Sequence, residues 1–184
     1  MENMKAIETI YKGYRFRSRL EARWAVFFDA MGIKWEYEPQ GFELKDGTWY
    51  LPDFYLHINR RMWGTENQDR KGCWVEVKGE MTKEDENKIK LFSLPIIVLG
   101  NIPENIEEYL HEFWEHESES IPYHSYELID GDDYPAYFST KDSEPWIAGA
   151  DHDEWDSGES MNKALLKARQ ARFEHGENPN KAVI

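Results

Sequence analysis

The sequence predicts an α/β (α+β) fold on three observations: a helix-period aromatic segment near the start, strand-type runs after it, and a polar helix between two short apolar runs. Ser18 precedes RLEARWAVFFDAMG, in which Leu20, Trp24, Phe27, Phe28 and Met31 recur at helical spacing, and Gly32 supplies the stop. IKWEYEP and GTWYLPDFYLHI are rich in aromatic and branched residues. With Pro39, Gly41, Asp46 and Gly47 as punctuation, they read as strands joined by turns. Residues 59 to 72 are polar and read as a loop. CWVEVKG is a short strand, TKEDENKIKLF a helix with Thr82 as N-cap, and PIIVLG a buried strand.

The second half is less periodic. ENIEEYLHEFWEHE sets Ile106, Tyr109, Leu110, Phe113 and Trp114 on one helical face, with acids on the other. Residues 120 to 158 keep no period and read as loop, with short strands around Tyr123 to Ile129 and Ala136 to Phe138. A last helix spans Ser160 to His175, with Gly176 as C-cap and Pro179 beyond. The division expected is a core over residues 1 to 100 and an acidic helical and loop extension over 101 to 184, ending in a basic helix and packed on the core.

Charge is divided along the same line. Residues 1 to 100 carry 16 Lys and Arg against 16 Asp and Glu, whereas residues 101 to 184 carry 6 against 20, the whole of the net charge of -14. Between residues 5 and 23, Lys5, Lys12, Arg15, Arg17, Arg19 and Arg23 face only Glu8 and Glu21, so a basic surface is available there; Arg60, Arg61, Arg70 and Lys71 form a second cluster. Arg15, Arg17, Arg19, Arg60 and Arg61 are therefore the candidates for contact with nucleic-acid phosphates. The single Cys73 excludes an intrachain disulfide framework and fits a reducing compartment. No apolar run approaches the ~20 residues of a membrane span, and the first residues lack the order of a signal peptide, so the expectation is a cytoplasmic protein with no membrane partner.

The chemistry-bearing residues lie in the neutral half. Asp53, in YLPDFYL, sits within an apolar strand pattern where an ionised carboxylate is costly unless paired or metal-bound. In WVEVKG, alternation puts Trp74, Glu76 and Lys78 on one face and Val75 and Val77 on the other. Two neighbouring carboxylates can hold Mg2+, with Mn2+ as a substitute, and the Val77 carbonyl can add an oxygen. Lys78 can orient or deprotonate an attacking water or steady negative charge. Either fragment alone reads more readily as a cross-strand salt bridge or a turn; the order and spacing of the two together are more specific.

Pro52, Asp53, 22 intervening residues, then Glu76, Val77, Lys78 and Gly79 resemble the signature of the PD-(D/E)xK nuclease superfamily. The segment FRSRLEARWAVFFDAMGIKWEYEPQGFEL with YLPDFYL looks like small phage-associated endonucleases of that group, and the likeness covers roughly residues 10 to 100. It implies a restriction-endonuclease-like core, a mixed central sheet flanked by helices, and a metal-dependent deoxyribonuclease cutting phosphodiesters. By likeness to Holliday-junction resolvases it also implies branched DNA as substrate, a homodimer, the host cytoplasm if phage-encoded, and Glu21 as a further acid completing the catalytic and metal set. Glu21 has a competing reading, since Ser18-x-x-Glu21 is a capping box.

Other features weigh less. His57 follows Asp53 on its strand, and a lone His is more often structural. Asp151, His152, Asp153, Glu154 and Asp156 are acid-rich, but their spacing fits no calcium loop. Lys163, Lys167, Arg169 and Arg172 make the last helix basic. From Glu104 to Glu159 there are 18 acids and one base, Lys141. That run sustains a rival in which the nuclease fold is scaffold and the acidic surface mimics DNA to bind or inhibit a basic protein partner, such as a host defence nuclease.

Overall fold

The computed structural model describes residues 8–61, 70–104, 126–129, 132–139, 146–149 and 159–173. A short hairpin, β1 (Thr9–Tyr11) and β2 (Tyr14–Phe16), leads into helix α1 (Arg19–Ala30). The hairpin turns on Lys12 and Gly13, both at positive φ (49° and 85°), as a two-residue connection between twisted strands requires. Ser18 caps α1 by accepting the Glu21 amide at 3.2 Å. The helix stops as its last turn predicts: Gly32 takes φ 72°, its N–H reaches the Asp29 carbonyl, and Ile33 N–H reaches that of Phe28.

Strand β3 (Lys34–Tyr37), the small hairpin β4 (Phe42–Glu43) and β5 (Trp49–Tyr50), and the long β6 (Phe54–Arg61) and β7 (Arg70–Val77) follow. Helix α2 (Lys83–Leu91) then carries the chain to β8 (Ile96–Leu99), which lies parallel to β7. Thr82 caps α2 as expected, in a reciprocal box with Asp85. Strands β9 (Tyr126–Ile129), β10 (Asp132–Ser139) and β11 (Trp146–Gly149) and helix α3 (Glu159–Gln170) complete the described chain.

The result is a mixed α/β protein around one mixed sheet of seven strands, in the order β11-β10-β9-β8-β7-β6-β3. Its outer strand β11 also pairs in parallel with residues 59–61 of β6, so the neighbours from β6 to β11 form a closed circuit. Two apolar layers cover the sheet. On one side α1 supplies Trp24, which packs on Phe27 and Phe28, and these two meet Phe54 of β6 and Phe138 of β10, while α3 lays Ala164, Leu165 and Ala168 into the same cluster. On the other side Trp74, Ile96 and Val98 pack with Tyr50, Ile89 and Phe92. Val75 and Val77 belong to the first layer and Trp74 to the second, the alternation expected for β7.

Three differences from the sequence reading have physical reasons. The polar stretch 59 to 72 is not all loop: Asn59 pairs with Lys71 and Arg60 with Arg70. Ladder bonds use the backbone, and β11 gives this part of β6 a second ladder, so polar side chains do not end it. Segment 101 to 184 contributes three strands to the same sheet, of which β10 has eight residues and β11 has no counterpart in the expectation. The last helix ends at Gln170, five residues before the expected His175. The helix expected after Pro103 lies outside the described residues.

Gly72 sits at φ 79° with the Tyr55 hydroxyl over its backbone; an added Cβ would lie 1.8 Å from that oxygen and 2.5 Å from Tyr55 Cζ. Gly72→Ala is therefore expected to cost about 2 kcal/mol in urea unfolding, from left-handed strain plus overpacking. In a Tyr55→Ala background the same change should cost only about 1 kcal/mol, because the steric part is gone. Equal costs in both backgrounds would show that the contact contributes nothing.

Candidate active site

Three buried carboxylates meet where α1 begins, β6 begins and β7 ends. Glu21, Asp53 and Glu76 are 6%, 3% and 4% exposed and, with Thr9, are the buried polar or charged residues among those described. Burial at this level demands partners, and each acid has them. Asp53 Oδ2 accepts the Val77 amide at 2.7 Å, tying the start of β6 to the end of β7. Its Oδ1 lies 2.6 Å from Arg17 Nη2. Glu76 Oε2 accepts the Tyr50 hydroxyl at 2.8 Å, and its Oε1 is 2.9 Å from Lys78 Nζ. Glu21 Oε1 accepts Ser18 Oγ at 2.6 Å, and its Oε2 accepts Tyr37 Oη at 2.7 Å and the Arg17 amide at 3.0 Å.

The electrostatics are those of crowded acids in a dry place. Burial pushes the Asp53 carboxyl well above the usual range, the charges of Glu76 and Glu21 add to this, and the Val77 amide and Arg17 only partly offset it. Burial opposes the charge of Lys78, but Glu76 and Asp85 outweigh it and hold the ammonium above its ordinary pKa. Asp85 Oδ1 is 3.1 Å from Lys78 Nζ, so the ammonium bridges β7 to the first turn of α2. For Asp85, burial raises the pKa, but the bonds from Thr82 and Lys78 prevail and lower it. Tyr50 is pushed far up by its burial and then by Glu76, so it remains a hydroxyl donor. Glu76 and Asp85 thus favour the ammonium form of Lys78.

The sequence candidates fall into three groups. Asp53, Glu76, Val77 and Lys78 are brought together; Glu21 stands near enough for its charge to act on Asp53, while its oxygens complete a cap that takes the Arg17 amide where a capping box takes the Ser18 amide. Arg17 faces the site as the partner of Asp53 and of Glu38, whose Oε1 lies 2.6 Å from Arg17 Nε. Arg15 is exposed beside Glu8 at 3.7 Å. Arg19 opens α1, and Arg60 and Arg61 close β6 at the end remote from Asp53. Tyr50, Tyr37, Glu38 and Asp85 were not singled out in the sequence. For Asp85 a signal existed, since the box with Thr82 fixes it seven residues after Lys78, one strand end from the site; the two tyrosines and Glu38 carried none.

The donor set suits a hard divalent cation: it is oxygen only, buried, and richer in acids than in bases at Asp53, where a cation would relieve the crowding. Asp53 and Glu76 with the Val77 main chain are the fitting donors. Among the described residues no group of three or more His, Cys, Asp or Glu side chains is arranged to hold a metal ion. Among the same residues no helix is long and apolar enough to cross a membrane. No protein-family model, no curated protein and no solved structure matches the chain.

Proposed function

We propose that the chain is a Mg2+-dependent deoxyribonuclease, an endonuclease that hydrolyses phosphodiesters, with a restriction-endonuclease-like core. The observation that carries this reading is the joining of Asp53 and Glu76 through the Val77 amide, with a cationic Lys78 at 2.9 Å from Glu76. The order α1, β3, β6, β7, α2, β8, with Asp53 just ahead of β6 and Glu76 on β7, agrees with the superfamily resemblance. Asp53 and Glu76 would hold the ion, with the Val77 carbonyl as a further oxygen. When bound, a divalent cation supplies charge to the phosphate and acidifies water. The chain does the rest. The Val77 amide fixes the Asp53 carboxylate, the Tyr50 hydroxyl fixes Glu76, and Lys78 orients the attacking water and steadies the negative charge growing on the phosphate. Glu21 would influence Asp53 through its charge, and Arg15 and Arg19 would contact the flanking backbone.

Branched DNA as preferred substrate and a homodimeric assembly rest on likeness to junction resolvases. The rival, a DNA-mimicking inhibitor of a basic protein, draws on the 18 acids and one base between Glu104 and Glu159. One experiment separates them: linear, single-stranded and four-way-junction DNA are incubated with Mg2+ or Mn2+ and either wild type or Asp53→Ala. Cleavage by the wild type, lowered at least ~10³-fold by the substitution, is expected for a metal-holding acid. No cleavage of any substrate, together with tight binding to a basic nuclease that survives Asp53→Ala, would sink the enzyme.

A further inference from the structure

Arg17 turns inward at the site, although a phosphate contact belongs on an open face. Its guanidinium bridges two acids, Nη2 to Asp53 Oδ1 and Nε to Glu38 Oε1, both at 2.6 Å. Its backbone is fixed just ahead of α1 by Glu21 and Tyr37, yet its side chain stays 57% exposed. The arm therefore reaches a buried carboxylate from solvent. Asp53 has two oxygens, and one is committed: Oδ2 holds the Val77 amide and so the junction of β6 with β7. Oδ1 is the oxygen free of the backbone, and Arg17 covers it.

We infer that Arg17 is the resting counter-ion of the candidate site: it occupies Asp53 Oδ1 until a divalent cation takes that oxygen, and then turns to the substrate phosphate. This rests on the metal-dependent reading above. The two steps are linked in sign. A cation must break a charge-assisted pair to bind, so Arg17 weakens metal binding; by reciprocity, metal binding makes the guanidinium free for an anion. Glu38, outside the donor set, adds an ion pair without hydrogen-bond geometry that favours the resting position.

The test uses the full chain and Mn2+ alone, with free Mn2+ followed by electron paramagnetic resonance, for wild type, Arg17→Met and Glu38→Gln. Arg17→Met is expected to bind Mn2+ about tenfold more tightly, a coupling of ordinary size. Glu38→Gln, which keeps both Arg17 and Asp53 and guards against a poorly folded Arg17 variant, should bind a few-fold more tightly. A second readout follows DNA binding in a Lys78→Met background, where turnover is slowed enough for binding to be read. There Arg17→Met should lower the salt dependence of binding by about one phosphate contact with Mn2+ present and leave it unchanged without. If the wild type binds Mn2+ and neither variant binds it more tightly, the counter-ion role is overturned and the metal reading stands. A salt dependence that falls equally with and without Mn2+ likewise overturns the switch, leaving a plain phosphate contact. No Mn2+ binding by any of the three proteins overturns both readings.

Discussion

Lys78→Met is expected to lower the single-turnover rate of DNA cleavage by about 10²- to 10³-fold while leaving DNA affinity within about threefold. The size is that of removing one preorganised donor from developing negative charge, ~3–4 kcal/mol. Lys78 is suited to that task because Glu76 at 2.9 Å and Asp85 at 3.1 Å hold it charged and aimed, with 28% of its side chain exposed. The two roles left open by the sequence, base and cation, predict different results: in the metal-free site Glu76 and Asp85 raise the ammonium above its ordinary pKa, which favours the cation. Lys78→Arg, which keeps the charge in a different shape, should therefore retain about 1–10% of wild-type rate, well above Lys78→Met. Equal rates for the two variants, or a wild-type rate that climbs with pH through the range of a lysine, would show that Lys78 works by losing its proton. Asp85→Asn adds a finer control. It frees one anchor of the ammonium without touching Glu76, and the rate should drop about threefold to tenfold, since misplacement costs less than removal.

Much of this site was legible because strands obey a period of two. The alternation in WVEVKG separates Trp74 and Glu76 from Val75 and Val77, and the two apolar layers sort Trp74 from the valines in that way. Helix α1 was legible for a similar reason: its cap, its aromatic repeat and its terminal glycine agree with one another. Long-range contacts carried no such local mark. That Tyr50 would reach Glu76 across 26 residues, or Arg17 reach Asp53 across 36, depends on how strands and helix start are brought together, and no spacing rule encodes it. Segment 120 to 158 read mostly as loop, with short strands around Tyr123 to Ile129 and Ala136 to Phe138, for a different reason. Its strands carry Asp, Glu and Pro at positions where strand propensity is low, and they form because β8 and β6 offer ladder partners. Glu21 shows the limit within a single residue. Both of its readings came from a legible pattern, and in the structure its charge acts on Asp53 while its oxygens serve the helix start.

Asp53→Asn should make the metal-free protein more stable at neutral pH while removing activity. In the folded chain the Asp53 carboxyl titrates well above its unfolded value, through burial first and then the charges of Glu76 and Glu21. Between those two pKa values the folded state binds more protons than the unfolded state, so stability falls as pH rises through the window. Its loss begins near the unfolded aspartate value of about 4 and is complete only above the raised folded value. Asparagine carries no charge to desolvate, and its Oδ1 can still accept the Val77 amide. Arg17 loses a partner but remains 57% exposed, so water can take up its donors. In EDTA at pH 7.5 the substitution should add on the order of 1–2 kcal/mol in urea unfolding, the usual gain from relieving a functional site, and the gain should shrink towards zero near pH 4. Divalent metal should reverse the order. At 100 times its Kd, Mg2+ stabilises the wild type by about 2.7 kcal/mol through mass action, and the variant, lacking the carboxylate, should gain little. A wild type more stable than Asp53→Asn in EDTA at every pH would mean that Arg17 and the Val77 amide fully compensate the buried charge, and that Asp53 is an ordinary structural ion pair. A crossing of the two stabilities on adding Mg2+ has the opposite meaning: the chain holds at Asp53 a charge it is more stable without, and the divalent cation is the partner for which that charge is kept.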